Sequence, residues 1–334
     1  MLIGMTYDLK DEYIQQGFTN EEAAEFDSLE TIEAIEEAIK LLGHNVERIG
    51  NVKALVTALA HGKTWDLVFN ICEGVNGISR ESQVPCLLEA YNIPYTFSSP
   101  ETNAITMDKS VAKQLVANAG VATAPFKVVR NISDIDKLDI PFPLFVKPLA
   151  EGTGKGIDAR SNISDKESLR SKCEYLLKTF NQPVLVESYL SGRDITVGIV
   201  GNGKNAKVIA VMETFYDTNA ESLSQSFYNK KNYEEVLQYR IIDDDVAKKA
   251  AEASLKSWET LNCRDAGRFD FRCDKNNTPY FLELNPLAGL HPIDSDLPML
   301  SRKVGIDFNQ LIAMIINCAI ERYGLCKTKE GVVA

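Results

Sequence analysis

The 334-residue chain is 45% apolar, 25% charged and 8% aromatic, enough to bury sizeable cores and incompatible with wholesale disorder or a disulfide-stapled miniprotein. At ~150 residues per domain, its length implies about two domains, or two to three lobes of one enzyme. With 36 basic against 47 acidic residues the net charge is −11, which argues against a broad nucleic-acid groove and requires a local positive site for any anionic ligand.

In chain order, short apolar runs alternate with helical patterns: a strand over 2–6, a helix with Leu29, Ile32, Ile35, Ile39 and Leu42 on one stripe, then strands over 45–49 and 67–70. Gly43 is placed to end that helix as a left-handed cap. Such alternation predicts parallel strands covered by helices, with ligands at their carboxyl ends. The segment from Asn70 to Glu81, rich in glycine and charge, follows a strand end and is a candidate site loop. A helix is expected over 102–119, strands over 125–129, 143–148 and 184–187, and a helix over 166–180. Strands over 195–200 and 208–213 flank the hairpin-like Gly201 to Asn205. The polar stretch 217–232 is long enough to be a mobile lid, and it precedes a helix over 244–261, a last hairpin and an apolar helix over 308–323.

The seven cysteines, Cys72, Cys86, Cys173, Cys263, Cys273, Cys318 and Cys326, are odd in number and lack C-x-x-C spacing, suggesting neither a disulfide framework nor a zinc ribbon. The N-terminus opens on a strand-like run without a basic leader, and no stretch reaches the ~18 apolar residues of a membrane span. A cytoplasmic protein without an anchor is expected.

The last hairpin carries the chemistry. Period-two alternation in Gly267 to Cys273 puts Phe269 and Phe271 on one face and Arg268, Asp270 and Arg272 on the other. The partner strand, Tyr280 to Asn285, puts Leu282 and Leu284 on one face, Glu283 and Asn285 on the other. A turn at Asn276 and Asn277 then sets Asp270 opposite Glu283 and Arg268 opposite Asn285. Two facing carboxylates repel unless a hard dication sits between them, and Asp, Glu and an amide oxygen are magnesium-type ligands. In an arbitrary hairpin the same residues would simply be a solvated polar face.

The segment Phe145 to Gly156 carries Lys147 and a loop with Gly152, Thr153, Gly154 and Gly156. It fails the Walker A pattern, since Leu149 replaces the first glycine and Gly156 follows Lys155. Its backbone N–H groups can still close over phosphates. Lys109 and Lys113, one helical turn apart, read by themselves as a solvated helix face.

Taken in order, Asp108-Lys109, Val146-Lys147-Pro148 with Glu151-Gly152-Thr153, Glu187 to Asp194, Gly267-Arg268-Phe-Asp270 and Glu283-Leu-Asn285 to Gly289 resemble the ATP-grasp superfamily, and within it the D-alanine:D-alanine ligases. The resemblance covers almost the whole chain. It implies an α/β fold of three lobes: an N-terminal Rossmann-like pre-ATP-grasp lobe over 1–103, a central lobe over 104–183, and a C-terminal lobe over 184–326 with the metal and substrate site. ATP would lie between the last two. By position, Lys109 and Lys147 would hold its phosphates under the loop Glu151, Gly152 and Thr153; Glu187 and Leu190 would line the adenine pocket, and Asp194 would bond the ribose. Asp270, Glu283 and Asn285 would ligate two magnesium ions, with manganese an acceptable substitute. Lys230 loosely matches a lysine of the family's mobile loop, and Arg268 with the Gly289 N–H would stabilise an oxyanion. Dimers are common among relatives.

The implied reaction is attack of a carboxylate on the γ-phosphate, giving an acyl phosphate and ADP, then amide formation by an amine. The departures fall where the amino acids bind. The family's His-Gly-x-x-Gly-Glu-Asp-Gly loop is here Glu73 to Arg80; its Gly-Gly-x-Ser-x-Glu signature becomes Tyr7 to Ile14 with an insertion before Phe26; Thr153-Gly-Lys155 stands for a Ser-Ser-Val type sequence. The terminal loop His291 to Pro298 retains Ser295 but introduces Asp296. Glu73, Arg80, Glu81 and Asp296 suggest recognition of an additional charge, either a cationic amine or a second carboxylate, and among the histidines only His291 has a claim on substrate. A small-molecule amino-acid or carboxylate substrate other than the D-alanine pair is expected. An ester-forming ligase, an ATP-dependent phosphotransferase, D-alanine:D-alanine ligase proper and a non-catalytic nucleotide-binding module are the competing readings.

Overall fold

A computed structural model describes residues 1–221, 224 and 226–325. Cys326, the terminal tail and positions 222, 223 and 225 of the expected lid lie outside the described residues. The chain opens with β1 (Leu2–Tyr7), α1 (Lys10–Gln15), α2 (Leu29–Leu41), β2 (Asn45–Gly50), α3 (Val52–Ala60), β3 (Leu67–Ile71) and α4 (Gln83–Ala90). β1 is the central strand of a parallel sheet, flanked by β2 and β3. Ser28 caps α2 by accepting the Thr31 N–H at 3.2 Å, and Gly43 ends it at φ +81°. Ile32, Ile35 and Ile39 of its stripe are buried, whereas Leu29 and Leu42, at its two ends, are exposed.

Next come α5 (Pro100–Met107) and α6 (Lys109–Asn118). The single helix expected over 102–119 is broken because Asp108 leaves helical geometry at ψ 93° and its carboxylate caps α6, accepting from Ser110 and Val111 N–H. The central portion holds β4 (Phe126–Val129), β5 (Leu144–Pro148), β6 (Asn162–Ile163), α7 (Lys166–Phe180) and β7 (Val184–Ser188). These strands form an antiparallel sheet in the order β4-β7-β5-β6, covered by Leu169, Cys173 and Leu176 of α7. The boundary expected at 183/184 therefore falls just ahead of a strand that hydrogen-bonds into this sheet.

The remaining elements are β8 (Asp194–Val200), β9 (Lys207–Tyr216), α8 (Phe227–Lys231), α9 (Tyr233–Val236), β10 (Leu237–Ile241), α10 (Asp245–Thr260), β11 (Ala266–Cys273), β12 (Pro279–Asn285), α11 (Asp296–Lys303) and α12 (Phe308–Tyr323). The strands form an antiparallel sheet in the order β10-β9-β8-β11-β12. Its core joins Trp258 of α10 to Phe269, Phe271 and Phe281, and takes in Ala112 and Val116 of α6. That helix, assigned by sequence to the central lobe, packs on the C-terminal sheet. α12 crosses back: its Leu311, Ile312, Ile315, Ile316 and Ala319 share one core with β1, β3 and α2. Burying each of these leucine and isoleucine side chains contributes roughly 1.5–3 kcal/mol. Among the described residues no single helix is long and apolar enough to cross a membrane.

Candidate active site

The hairpin β11–β12 pairs Arg268 with Asn285 and Asp270 with Glu283. A register shift follows between Asp270 and Phe271, so Phe281 rather than Leu282 opposes Phe271. A one-residue slip turns a strand over. Phe281 accordingly enters the core, while Leu282, expected beside Leu284, lines the cleft. Asp270 is held by Thr196 Oγ1 at 3.1 Å, Arg268 Nη2 at 2.9 Å and the Asn285 amide at 3.2 Å. Burial opposes ionisation of Glu283, but Lys109, Lys147, Lys230 and Arg268 hold its carboxyl down to about 2. Burial pushes Asp270 the other way against the pull of Arg268, and the Glu283 charge adds to it.

The donor set fits a hard divalent cation. Two opposed acids and an amide offer oxygen ligands, and their mutual repulsion is what such an ion relieves. Among the described residues no group of three or more His, Cys, Asp or Glu is suited to hold a metal. Completion by phosphate oxygens and water is the habit of magnesium at nucleotide sites.

Lys109 begins α6, donates to the Glu151 carbonyl at 2.6 Å and lies 3.3 Å from Glu283 Oε2. Lys113, expected on a solvated face, is 0% exposed. That face of α6 is turned inward, and Lys113 Nζ sits 2.8 Å from Glu187 Oε2 and donates to the Phe281 carbonyl at 3.0 Å. Lys147 reaches the other Glu187 oxygen at 3.0 Å; on the paired strands β5 and β7, the two are diagonal neighbours. Burial alone would raise the Glu187 carboxyl, but the two ammonium groups hold it down to about 2. Burial lowers Lys113.

The same cleft is lined by Tyr189, Leu190, Asp194, Arg272, Lys230 and Asp296. Asp194 and Arg272 are cross-strand partners on β8 and β11, ion-paired at 3.0 Å, and Tyr216 Oη also donates to Asp194 Oδ2. Over the cleft lies the glycine-rich loop, with Thr153 at φ +52°. It is tied to the N-terminal insertion: Glu25 Oε1 accepts the Gly152 N–H at 2.8 Å, and Glu25 Oε2 meets Lys155 Nζ at 2.8 Å and Arg80 Nη2 at 2.9 Å. Glu151 pairs with Lys155 at 2.5 Å and accepts from Gln182 at 2.7 Å. Burial would raise the Glu25 carboxyl, yet Arg80 and Lys155 bring it down to about 2.

Arg80 was expected to face substrate. It is buried instead, bound to Glu25 and to the Ala150 carbonyl at 3.0 Å. A second cavity, sharing Gly152, Lys230 and Asp296 with the first, is lined by Glu73, Glu81, Thr153, Arg268, Asn285, Gly289, His291 and Ser295, and by Glu25 and Asp27, which carry no family motif. Asp296, also read as a substrate charge, is paired with Arg268 Nη1 at 2.7 Å. Ser295 Oγ accepts the His291 N–H at 2.9 Å, and the His291 ring lies 3.4 Å from Asp294 and 3.6 Å from Glu30. A Cβ at Gly289 would come within 2.9 Å of Ser295 Oγ, so this turn of chain accepts no side chain without displacing that serine. Among the described residues no cation pairs with Asp27, Glu73 or Glu81. Burial raises all three, Asp27 to about 8 with help from Asp8, and Glu81 to about 7 despite Arg80.

Sequence reasoning passed over Glu25, Asp27, Lys113, Lys155 and Arg272. For Arg272 the signal was present: it follows Asp270 at the same-face spacing. For Lys113 the signal was its place beside Ala112 and Val116 on a buried stripe.

An antiparallel pair of sheets gripping a lysine-lined cleft is the architecture of ATP-grasp ligases. D-alanine–D-alanine ligase from Bacillus anthracis complexed with ATP superposes with a TM-score of 0.73 at 22% identity, covering 97% of this chain and 99% of that one. VanG D-Ala:D-Ser ligase from Enterococcus faecalis gives 0.73 at 19% identity, covering 95% and 99%. The family model described as D-ala D-ala ligase C-terminus matches residues 115–317. D-alanine–D-alanine ligase of Aquifex aeolicus is 34% identical over 295 residues, 86% of this chain and 94% of that protein. The chain belongs to the D-alanine–D-alanine ligase family, a class of ATP-dependent, ADP-forming carbon–nitrogen ligases.

Proposed function

We propose that the chain joins a carboxylate to an amine through an acyl phosphate, with a substrate other than the D-alanine pair. The observation that carries this reading is the opposition of Asp270 and Glu283 in register, inside a cleft that also contains Lys109, Lys147 and Lys230. Asp270, Glu283 and Asn285 would hold magnesium, which when bound neutralises phosphate charge and orients the γ-phosphate. Lys109 and Lys147 counter the charge spread over the transferring phosphoryl group, and the loop over 151–156 excludes water above it. Glu187 lines the cleft with each oxygen facing an ammonium group, which also sets the position of Lys147. The substrate carboxylate oxygen attacks phosphorus and ADP departs. The amine nitrogen then attacks the acyl carbon, phosphate leaves, and the nitrogen gives up its proton. Arg268, fixed between Asp270 and Asp296, and the Gly289 N–H would meet the oxyanion, an effect worth ~3 kcal/mol of barrier in comparable sites.

Charge balance in the second cavity favours one of the two substrate types left open by sequence. Arg80 and Asp296 have internal partners, whereas burial and neighbouring acids oppose ionisation of Asp27, Glu73 and Glu81, a cost that a cationic amine group bound among them would relieve and a second carboxylate would increase.

Phosphate release from ATP across a matrix of D- and L-amino acids and hydroxy acids tests the reading, with Glu283→Gln as blank. Substrate-dependent ADP formation, trappable with hydroxylamine as an acyl hydroxamate, is expected for the native chain. A drop of about 10³-fold with unchanged circular dichroism is expected for the variant. Magnesium-dependent ATP binding without stimulation by any acid would overturn it, and ADP formation without a trappable acyl group would favour simple phosphotransfer.

A further inference from the structure

Lys230 lines both cavities and is one of the cations that offset the burial of Glu283. Yet the stretch that carries it has little apolar packing to hold it: among the described residues, none of 217–232 belongs to a hydrophobic core. A lysine side chain is long and freely rotating, so its ammonium is placed only as well as the backbone beneath it. What fixes that backbone is therefore a question of polar contacts.

Asn229, the residue before it, is 0% exposed. Its Oδ1 accepts the Glu221 N–H at 3.0 Å and its Nδ2 donates to the Ser224 carbonyl at 2.8 Å, so one amide ties the incoming chain to α8 at two points. Its own N–H donates to Ser226 Oγ at 3.1 Å, and the carbonyl of Ser226, also fully buried, accepts the Lys230 N–H at 3.0 Å. On the far side, Tyr233 Oη donates to Asp294 Oδ1 at 2.7 Å and anchors the chain to the terminal loop. Lys230 is thus spanned by two fixed points, of which the nearer is the Asn229 clasp. An amide offers donor and acceptor from one planar head; alanine removes both bonds, and aspartate keeps the acceptor but sets an oxygen against the Ser224 carbonyl. We propose that Asn229 is a positioning residue for the ligase reaction, fixing the backbone from which Lys230 reaches into the cleft. This rests on the proposal that the cleft takes ATP.

The test is a double-mutant cycle in the full chain: the native protein, Asn229→Ala, Lys230→Met and the pair. Each is read by calorimetry of magnesium–ATP binding and by kcat/KM for ATP with the acid that the substrate matrix identifies. Asn229→Ala is expected to lower kcat/KM about tenfold, the scale of one lost hydrogen bond, and to leave the melting temperature unchanged because the stretch adds nothing to a core. In the Lys230→Met background the same substitution should cost nothing further, an outcome that a merely structural asparagine would not give. Asn229→Asp, which disturbs the fold less, should lose activity too. A tenfold loss that recurs undiminished without the lysine, or native kcat/KM in both Asn229 variants, would overturn the inference while leaving ATP as the substrate. If ATP binds but no acid is turned over, the functional reading fails, and the cycle is decided by the same two outcomes in the dissociation constants. Absence of calorimetric ATP binding by the native protein would overturn both.

Discussion

Lys113 is a charge buried in the seam between α6, the central sheet and the hairpin, with Glu187 and the Phe281 carbonyl as its partners. Removing one member of such a pair leaves its partner's charge with less compensation inside the protein, a change that typically costs 3–5 kcal/mol. Lys113→Met is expected to lower unfolding stability by about 3 kcal/mol, and the double variant with Glu187→Gln to lose less than the sum of the singles. Urea titrations monitored by fluorescence check both. Sequence made Asp270 and Glu283 legible because alternation and a turn signal are local. It hid Lys113 because the partners that bury it lie far away in the chain, at 187 and 281.

At the scale of elements, the glycine-rich loop and the N-terminal insertion are held together by Glu25. Its folded carboxyl titrates near 2 against an ordinary 4.5. A depressed carboxyl contributes stability that is present above the ordinary value and is lost as pH falls toward the folded one. The melting temperature of the native chain is therefore expected to fall between pH 4.5 and about 2 more steeply than that of Glu25→Gln, which begins lower at neutral pH; scanning calorimetry at closely spaced pH values reads the difference. A native profile parallel to the variant's would count against this latch. A turn centred on Asn276 and Asn277 sets Arg272 opposite Phe281, whereas the structure pairs it with Tyr280; the expected opposition of Asp270 and Glu283 is reached through the register shift between Asp270 and Phe271, which also exposes Leu282 to the cleft. A bulge leaves no composition signal when both residues it exchanges, Phe281 and Leu282, are apolar. Likewise α8 lies inside the polar stretch 217–232 that reads as a lid, and α9 and β10 fill 233–241, where no element is expected, since β10 is an edge strand with mostly exposed side chains.

Over the whole molecule, α12, the last described helix, packs on the first sheet. Its amphipathic pattern was plain in sequence; its partner was not, since periodicity marks a face without saying what covers it. Ile315→Ala should cost 2–5 kcal/mol, typical of a truncated core isoleucine, and amide exchange should quicken in β1 and β3 as well as in the helix itself. Faster exchange confined to α12 would mean that the first sheet holds together without it.

That dependence has a consequence for synthesis. Phe308 follows Ile71, the end of the first sheet, by 308 − 71 = 237 residues, a delay of roughly 10–50 s at ordinary translation speeds. Throughout that interval α12 is missing from the face of the nascent sheet that α2 covers in part, and protection of the remaining apolar surface falls to chaperones or to provisional pairing within the chain.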